Sequence, residues 1–283
     1  MNSMTIERRR LVRGLRLASR IEALPPSVWL ALQALALWPT LLWATRRMAD
    51  GSDEPLGVVA LALLALLLAS GHAACRREAR LPWLATALAL TVSSVALLPA
   101  LPPLALAVLA ALALGSAFAA FRASGTPWLP VAGLIVLALP VVASLQFYAG
   151  WPLRVVTAQA TLWLLELGGL DAARHGTTLV IDGREVLVDA PCSGVQLACL
   201  GYCAACASAL WHRMRDSRFV ARLPLVGLIV LCGNVLRNTA LVLVEGGVVE
   251  APAWAHEAIG LAALAGVTAL VALAMRGGDD AAR

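Results

Sequence analysis

Lysine is absent from this chain of 283 residues, and charged residues of all kinds make up only 14% of it. Soluble domains carry roughly 25% charged residues, so this composition excludes an ordinary soluble domain. The hydrophobic share is 60% and the mean hydropathy is +0.82. Six cysteines are too few for the disulfide framework of a small secreted protein. Long apolar runs dominate the chain instead.

Because lysine is absent, all 22 basic residues are arginine, and against 17 acidic residues they give a net charge of +5. They cluster in short segments between apolar runs, as residues that orient membrane helices do. This placement argues against a nucleic-acid partner. We predict that segment 1–26, rich in arginine, is a cytoplasmic tail in contact with anionic membrane lipids.

Nine apolar runs are candidates to cross a hydrocarbon core of ~30 Å; they are 27–45, 56–74, 81–98, 101–121, 128–147, 155–170, 193–210, 223–244 and 257–275. Run 155–170 is the shortest and contains Gln159 and Glu166, so we predict that it lies along the interface. The expected fold is an all-α polytopic membrane protein with eight transmembrane helices. Residues 27–276 form one transmembrane domain, and 277–283 form a cytoplasmic tail.

The arginine positions favour eight crossings over nine. With both termini in the cytoplasm, sixteen of the 22 arginines lie on the cytoplasmic side and Arg237 lies within a span. The outer segments hold five: Arg46, Arg47, Arg154, Arg174 and Arg184. Nine crossings would move the arginine cluster at 213–222 outside, against the positive-inside bias.

A β-hairpin is predicted on the outer face, just before run 193–210. Asp182-Gly183 lies between two stretches rich in β-branched residues, and this arrangement favours a two-residue hairpin turn. The hairpin leads directly into the sequence Pro-Cys-Ser-Gly at 191–194.

Three residues with reactive or charged side chains are predicted at one depth near the outer surface. Cys192 begins the sixth span, Arg237 lies ~10 Å from the outer end of the seventh, and His256 begins the eighth. A helix N-terminus and a nearby arginine both favour the thiolate form of Cys192. Arg237 can stabilise an oxyanion and His256 can transfer protons. The set suits acyl transfer through a thioester.

Each of the three also has a simpler structural explanation. Cys192 can be a small packing residue, and His256 an ordinary interfacial one. An arginine within a span is costly without a partner, and Glu245 is a candidate partner for Arg237. Their coincidence at one depth favours a shared site.

The ordered motifs resemble the exosortase/archaeosortase family, bacterial branch, over residues 151–275. They are the hairpin with Pro-Cys-Ser-Gly, Asn-Val-Leu-Arg-Asn in the next span, and histidine at the head of the last span. The resemblance implies that Cys192, Arg237 and His256 are catalytic. Supporting or substrate-binding residues are expected at Ser193, Gly194, Asn234 and Asn238. Asn234 is expected to orient the Arg237 guanidinium, with an interhelical hydrogen bond as the alternative.

The same resemblance implies a cysteine transpeptidase of the bacterial inner membrane, with its active site facing the periplasm. Such enzymes cleave C-terminal sorting signals that consist of a short motif, often Pro-Glu-Pro, a transmembrane helix and an Arg-rich end. They transfer the exported protein to a surface acceptor, in bacteria that produce exopolysaccharide. Neither a metal nor a cofactor is implied.

Two other functions stay open. A transporter or assembly subunit would use Arg237 and Glu166 along a polar pathway. A thiol oxidoreductase would use Cys203 and Cys206, which have redox-type spacing. These two cysteines share one stripe of their span with Cys199 and with small residues, a pattern typical of close helix packing.

Overall fold

Proline marks the start of many helices in this protein. The computed structural model describes residues 25–51, 53–72, 75–76 and 78–276. Five of its helices have proline at one of their first two positions, where the missing N–H costs no helical hydrogen bond. Apart from residues 25 and 26, the two predicted cytoplasmic tails lie outside the described residues.

The helices of the described part are numbered here in chain order: α1 Pro26–Ala36, α2 Trp38–Ala49, α3 Leu56–Ala69, α4 Leu81–Ala96, α5 Pro103–Phe121, α6 Leu129–Leu137, α7 Val142–Leu167, α8 Val195–Trp211, α9 Asp216–Glu245 and α10 Ala255–Ala274. The strands are β1 Ala172–His175, β2 Thr178–Ile181 and β3 Arg184–Leu187. A 3₁₀ turn, Pro191–Ser193, joins the strands to α8.

Helices α5, α9 and α10 are each long and apolar enough to cross a membrane. Two bent pairs, α1–α2 at 76° and α6–α7 at 93°, raise that number to five if each pair forms one span. Helices α3, α4 and α8 are apolar but shorter, at 10–17 residues. The helical membrane fold agrees with the sequence, while the number of eight crossings stays a prediction.

The outer surface of α10 requires apolar surroundings. Its most apolar stretch has a mean hydropathy of 2.0, yet only 11% of that stretch is buried within the protein. Leu261, Leu270 and Leu273 are each more than half exposed. An apolar surface of this extent is unfavourable in water and favourable in lipid.

Run 128–147 is not the single span that the sequence predicts. Helix α6 ends before Pro140 and α7 begins after it. Pro140 cannot donate a helical hydrogen bond, which favours a break without deciding it alone. The N-terminus of α7 is capped from a distance, since Asp53 Oδ1 accepts a hydrogen bond from Ala143 N at 3.0 Å. Residues 155–167 of the predicted interfacial segment form the second part of a 26-residue helix, so the predicted start of the segment is wrong, and its position along the interface stays a prediction.

The predicted hairpin is present and is part of a three-stranded antiparallel sheet in the order β1-β2-β3. Asp182 and Gly183 have φ values of +49° and +77°, as a tight two-residue hairpin turn requires. Strand β1 pairs with β2 and was not expected from the sequence. Its residues, Ala-Ala-Arg-His, include no β-branched side chain, so the pattern of a strand is missing.

One face of the sheet covers the C-terminal parts of α7 and α9. Leu179, Ile181 and Val186 pack there in one cluster with Leu165 of α7 and Leu241 of α9. The Cys192 side chain belongs to the same cluster. The sheet, α7 and α9 together hold the segment that carries the thiol.

We expect Asp216→Ala to destabilise the start of α6. Asp216 Oδ1 accepts hydrogen bonds from Trp128 N and Leu129 N, both at 2.9 Å. Losing this cap should lower the free energy of unfolding by about 1–2 kcal/mol, measured by denaturant titration in detergent. Asp216→Asn keeps one acceptor oxygen and should lower the free energy of unfolding by less. Equal midpoints for Asp216→Ala and wild type would contradict the capping role.

Candidate active site

Cys192 lies in a tight turn between β3 and α8. Its backbone N–H donates to the Asp189 carbonyl at 3.1 Å, and the 3₁₀ geometry starts at Pro191. Gly194 ends the turn with φ of +84°, a conformation that L-residues rarely adopt. A Cβ at Gly194 would lie 2.8 Å from the Asn234 amide carbon, so a side chain does not fit there. The glycine therefore permits both the turn and its close approach to α9.

Two asparagines of α9 hold the Cys192 carbonyl. Asn234 Nδ2 and Asn238 Nδ2 donate to this oxygen at 3.1 Å and 3.2 Å. Both asparagines are buried, with 2% and 1% exposure. Asn234 Nδ2 also donates to Thr157 Oγ1 of α7 at 3.2 Å. The interhelical role is thus the observed one, and the expectation that Asn234 orients the guanidinium of Arg237 is wrong.

Helix α7 holds the opposite side of the turn. Ser193 Oγ donates to Gln146 Oε1 at 2.9 Å, and Gln146 Nε2 donates to the Ala190 carbonyl at 3.1 Å. Gln146 was not among the residues predicted from the sequence, although an amide within an apolar run is a signal of a polar contact. Its partners become visible only once α7 is known to begin at Val142.

Arg237 lies beside the turn and lines an open cleft between α8 and α10. One of its terminal guanidinium nitrogens donates to the Pro191 carbonyl at 3.3 Å. The cleft has a volume of about 390 Å³, with Gln196 and Glu257 as further polar lining residues. Its apolar lining consists of Leu197, Leu200, Leu261 and Leu264. Gly260 faces the guanidinium, and a Cβ there would lie 3.8 Å from Arg237 Nε.

His256 pairs with Glu245 rather than with Cys192 or Arg237 among the described residues. Its Nδ1 lies 3.0 Å from Glu245 Oε1, and the two side chains are 53% and 44% exposed. Glu245 also acts electrostatically on the Cys192 thiol. Glu245 thus contacts the histidine, whereas the sequence suggested it as the partner of Arg237.

The electrostatic surroundings keep the Cys192 thiol protonated. Burial, followed by the hydrogen bond and negative charge of Asp189, raises the pKa of Cys192 to about 12. Arg237 lowers this pKa, whereas the Glu245 charge raises it. Arg237 thus acts in the direction that the sequence predicted, but burial outweighs it, so the thiolate is not the favoured form in the resting protein.

The residues behind the two alternative functions lie elsewhere. Cys203 and Cys206 are free thiols with 2% exposure each, inside the core formed by α3, α6, α8, α9 and α10. A Cβ at Gly133 of α6 would approach Cys206 Sγ to 2.7 Å, which shows how closely the helices pack there. Glu166 is exposed near the end of α7. Across the described ranges there is no group of three or more His, Cys, Asp or Glu side chains arranged to hold a metal ion.

Comparison with known proteins identifies the family. No curated protein and no solved structure matches the chain. The family model for transmembrane exosortases matches residues 73–273, which is more than two thirds of the chain and includes the Cys192 turn, α9 and α10. This match confirms the resemblance seen in the motifs. The chain belongs to the transmembrane exosortase family, whose members are membrane-embedded proteases or transpeptidases that act on C-terminal sorting signals.

Proposed function

We propose that this protein is a cysteine transpeptidase that cleaves the C-terminal sorting signals of exported proteins and transfers them to a surface acceptor through a thioester on Cys192. The observation that carries the proposal is the position of the Cys192 turn. Two buried amides fix it on α9, and Arg237 lies beside it at an open cleft. The turn that carries the proposed nucleophile thus adjoins a fixed cation and space for a substrate.

Acylation begins with attack of Cys192 Sγ on the scissile carbonyl carbon. The guanidinium of Arg237 stabilises the oxyanion that forms. Because the thiol is protonated at rest, its proton leaves as the C–S bond forms. His256 Nδ1 donates to Glu245, so Nε2 is free to accept that proton. The imidazolium then protonates the leaving amine as the C–N bond breaks.

Transfer reverses these roles. An acceptor amine, or water, attacks the thioester carbonyl and gives its proton to His256. The C–S bond breaks, and the imidazolium returns the proton to Cys192 Sγ. Asn234 and Asn238 make no new bonds in this cycle and act as positioning residues for the turn.

The site is proposed to face the periplasm from the bacterial inner membrane, with eight crossings and both termini cytoplasmic. The positive-inside bias supports this orientation, because the arginine cluster 213–222 at the α8–α9 connection then lies in the cytoplasm. The Cys192 turn is at the opposite end of α8. A substrate with one transmembrane helix and an Arg-rich cytoplasmic end then presents its scissile bond on the side of Cys192.

Substitution of the thiol gives the first test. The substrate is a reporter protein with a C-terminal Pro-Glu-Pro motif, an apolar helix and an Arg-rich end, incubated with the full-length protein in phospholipid vesicles. Cys192→Ala and Cys192→Ser should reduce cleavage at least ~1000-fold, because both remove the nucleophile. Cys203→Ala, the matched control within α8, should stay within about twofold of wild type.

The decisive measurement is an acyl fragment of the reporter attached to Cys192, identified by mass spectrometry after acid quenching. Cleavage by Cys192→Ser at the wild-type rate, or loss of activity in Cys203→Ala alone, would contradict a thioester on Cys192 and favour a different function.

The high pKa of Cys192 predicts how its alkylation depends on pH. Below this pKa, the rate of reaction with iodoacetamide should rise about tenfold per pH unit between pH 7 and 10, because only the thiolate reacts. Asp189→Asn removes a charge that raises the pKa and should accelerate labelling about 3- to 10-fold at pH 8. Arg237→Gln removes the charge that lowers it and should slow labelling.

Asp182→Asn, at the hairpin turn, is the control and should leave the labelling rate of Cys192 unchanged. Labelling of Cys192 is quantified by peptide mass spectrometry, so the other cysteines do not interfere. A rate that reaches a plateau below pH 8 would show that the resting residue is a thiolate and would contradict this prediction.

A further inference from the structure

Strand β3 has an open edge. The β2–β3 register pairs Thr178 with Leu187 and Val180 with Glu185, and the pairing of Thr177 with Val188 is closed by a hydrogen bond of 2.9 Å. Bonded and non-bonded pairs alternate in an antiparallel ladder. The N–H and C=O groups of Glu185 and Leu187 therefore point away from β2. In the part of the chain that the structure describes, these groups have no backbone hydrogen-bond partner in another segment.

The two edges of the sheet differ. Strand β1 lies against α7, where Arg174 Nε donates to Gln159 Oε1 at 2.9 Å. On β3, Arg184 and Glu185 are exposed and Leu187 is 58% exposed. Proteins usually cover or block a strand edge, since its unpaired N–H and C=O groups can form hydrogen bonds with another extended chain. Strand β3 contains neither a proline nor a bulge that would prevent such pairing.

We propose that the substrate backbone on the N-terminal side of the scissile bond docks on β3 as a fourth strand. This inference rests on the proposed function, because it places a cleavable chain beside Cys192. An extended peptide that adds to a free edge gains main-chain hydrogen bonds to Glu185 and Leu187. The occupant is thus the segment of the exported protein that becomes the acyl group.

The edge is continuous with the proposed nucleophile. Cys192 follows Leu187 by five residues, a distance of at most ~17 Å for an extended chain. Beyond it, Pro191 and Arg237 line the cleft that continues along the apolar side chains of Leu200 and Leu264. A substrate with its apolar helix on the C-terminal side therefore leaves toward this cleft. Its upstream part then runs parallel to β3.

Backbone pairing also fits the side chains of this edge. Glu185 and Leu187 point to the exposed face, whereas Val186 between them is buried in the cluster under the sheet. The added strand would thus receive its support from main-chain groups rather than from a side-chain pocket. Substrates with different residues upstream of the scissile bond would therefore bind with similar affinity.

Proline substitutions test the edge. Glu185→Pro and Leu187→Pro each remove one outward N–H, and edge strands tolerate proline at such positions. Each should raise KM for the reporter protein about tenfold and leave kcat within about threefold. Glu185→Ala and Leu187→Ala keep the N–H and should stay within about threefold of wild type. Ala172→Pro, at an outward position of the covered β1 edge, should also leave KM unchanged.

Alkylation of Cys192 at the wild-type rate verifies that each variant keeps its site. Equal KM values for the proline and alanine variants would overturn the inference, as would an equal effect of Ala172→Pro. If wild type forms the Cys192 thioester in those experiments, the proposed function stands without the docking edge. Absence of that thioester in wild type would contradict the proposed function itself.

A second measurement uses the wild-type protein and so does not depend on how the variants fold. Semi-synthetic reporters carry one N-methylated backbone amide at each of the four residues before the scissile bond in turn. Pairing with β3 predicts that KM rises at every second position, because alternate amides face the neighbouring strand. A uniform effect, or none, would overturn the docking of an extended strand on β3.

Discussion

The hydrogen bonds from Asn234 and Asn238 to the Cys192 carbonyl are the constraint on which the site depends. These asparagines and Arg237 occupy positions i, i+4 and i+3 of α9, so one helix face both fixes the turn and presents the guanidinium beside it. The amides are buried, and an unpaired buried amide costs about 1–3 kcal/mol. Any other position of the turn would leave both without this acceptor. The position of the Cys192 turn is therefore a consequence of the register of α9.

The sequence could predict features that depend on neighbouring residues. The hairpin turn was predictable because Asp182 and Gly183 are both suited to positive φ. The break between α6 and α7 was not, because proline alone does not decide it. Pro152 and Pro224 lie inside the continuous helices α7 and α9. What distinguishes the break at Pro140 is a cap for the new helix start, and Asp53 provides it from 90 residues away. Contacts at that separation are not visible in a local pattern.

The protonation state of Cys192 also depends on contacts that a local sequence pattern does not show. A nearby arginine and a helix N-terminus can be identified in the sequence, and Arg237 does act in the expected direction. Burial depends on the sheet, α7 and α9 together, and it has the larger effect. A protonated thiol is a poor nucleophile and is slow to oxidise. In the proposed mechanism the thiolate forms only when the substrate carbonyl is attacked and His256 takes the proton, so the resting thiol is protected from oxidation.

Backbone hydrogen bonding explains why an otherwise helical membrane protein contains a small sheet. A helix satisfies its own backbone hydrogen bonds and has none to offer along its length. A strand edge offers unpaired N–H and C=O groups at regular intervals, so it can hold an extended chain through main-chain groups alone. Strand β3 leads directly into the Cys192 turn, and the cleft beyond the turn is lined by leucines of α8 and α10. In the proposed mechanism these two surfaces take the two parts of one substrate, an extended segment before the scissile bond and an apolar helix after it. The Cys192 turn joins the two surfaces.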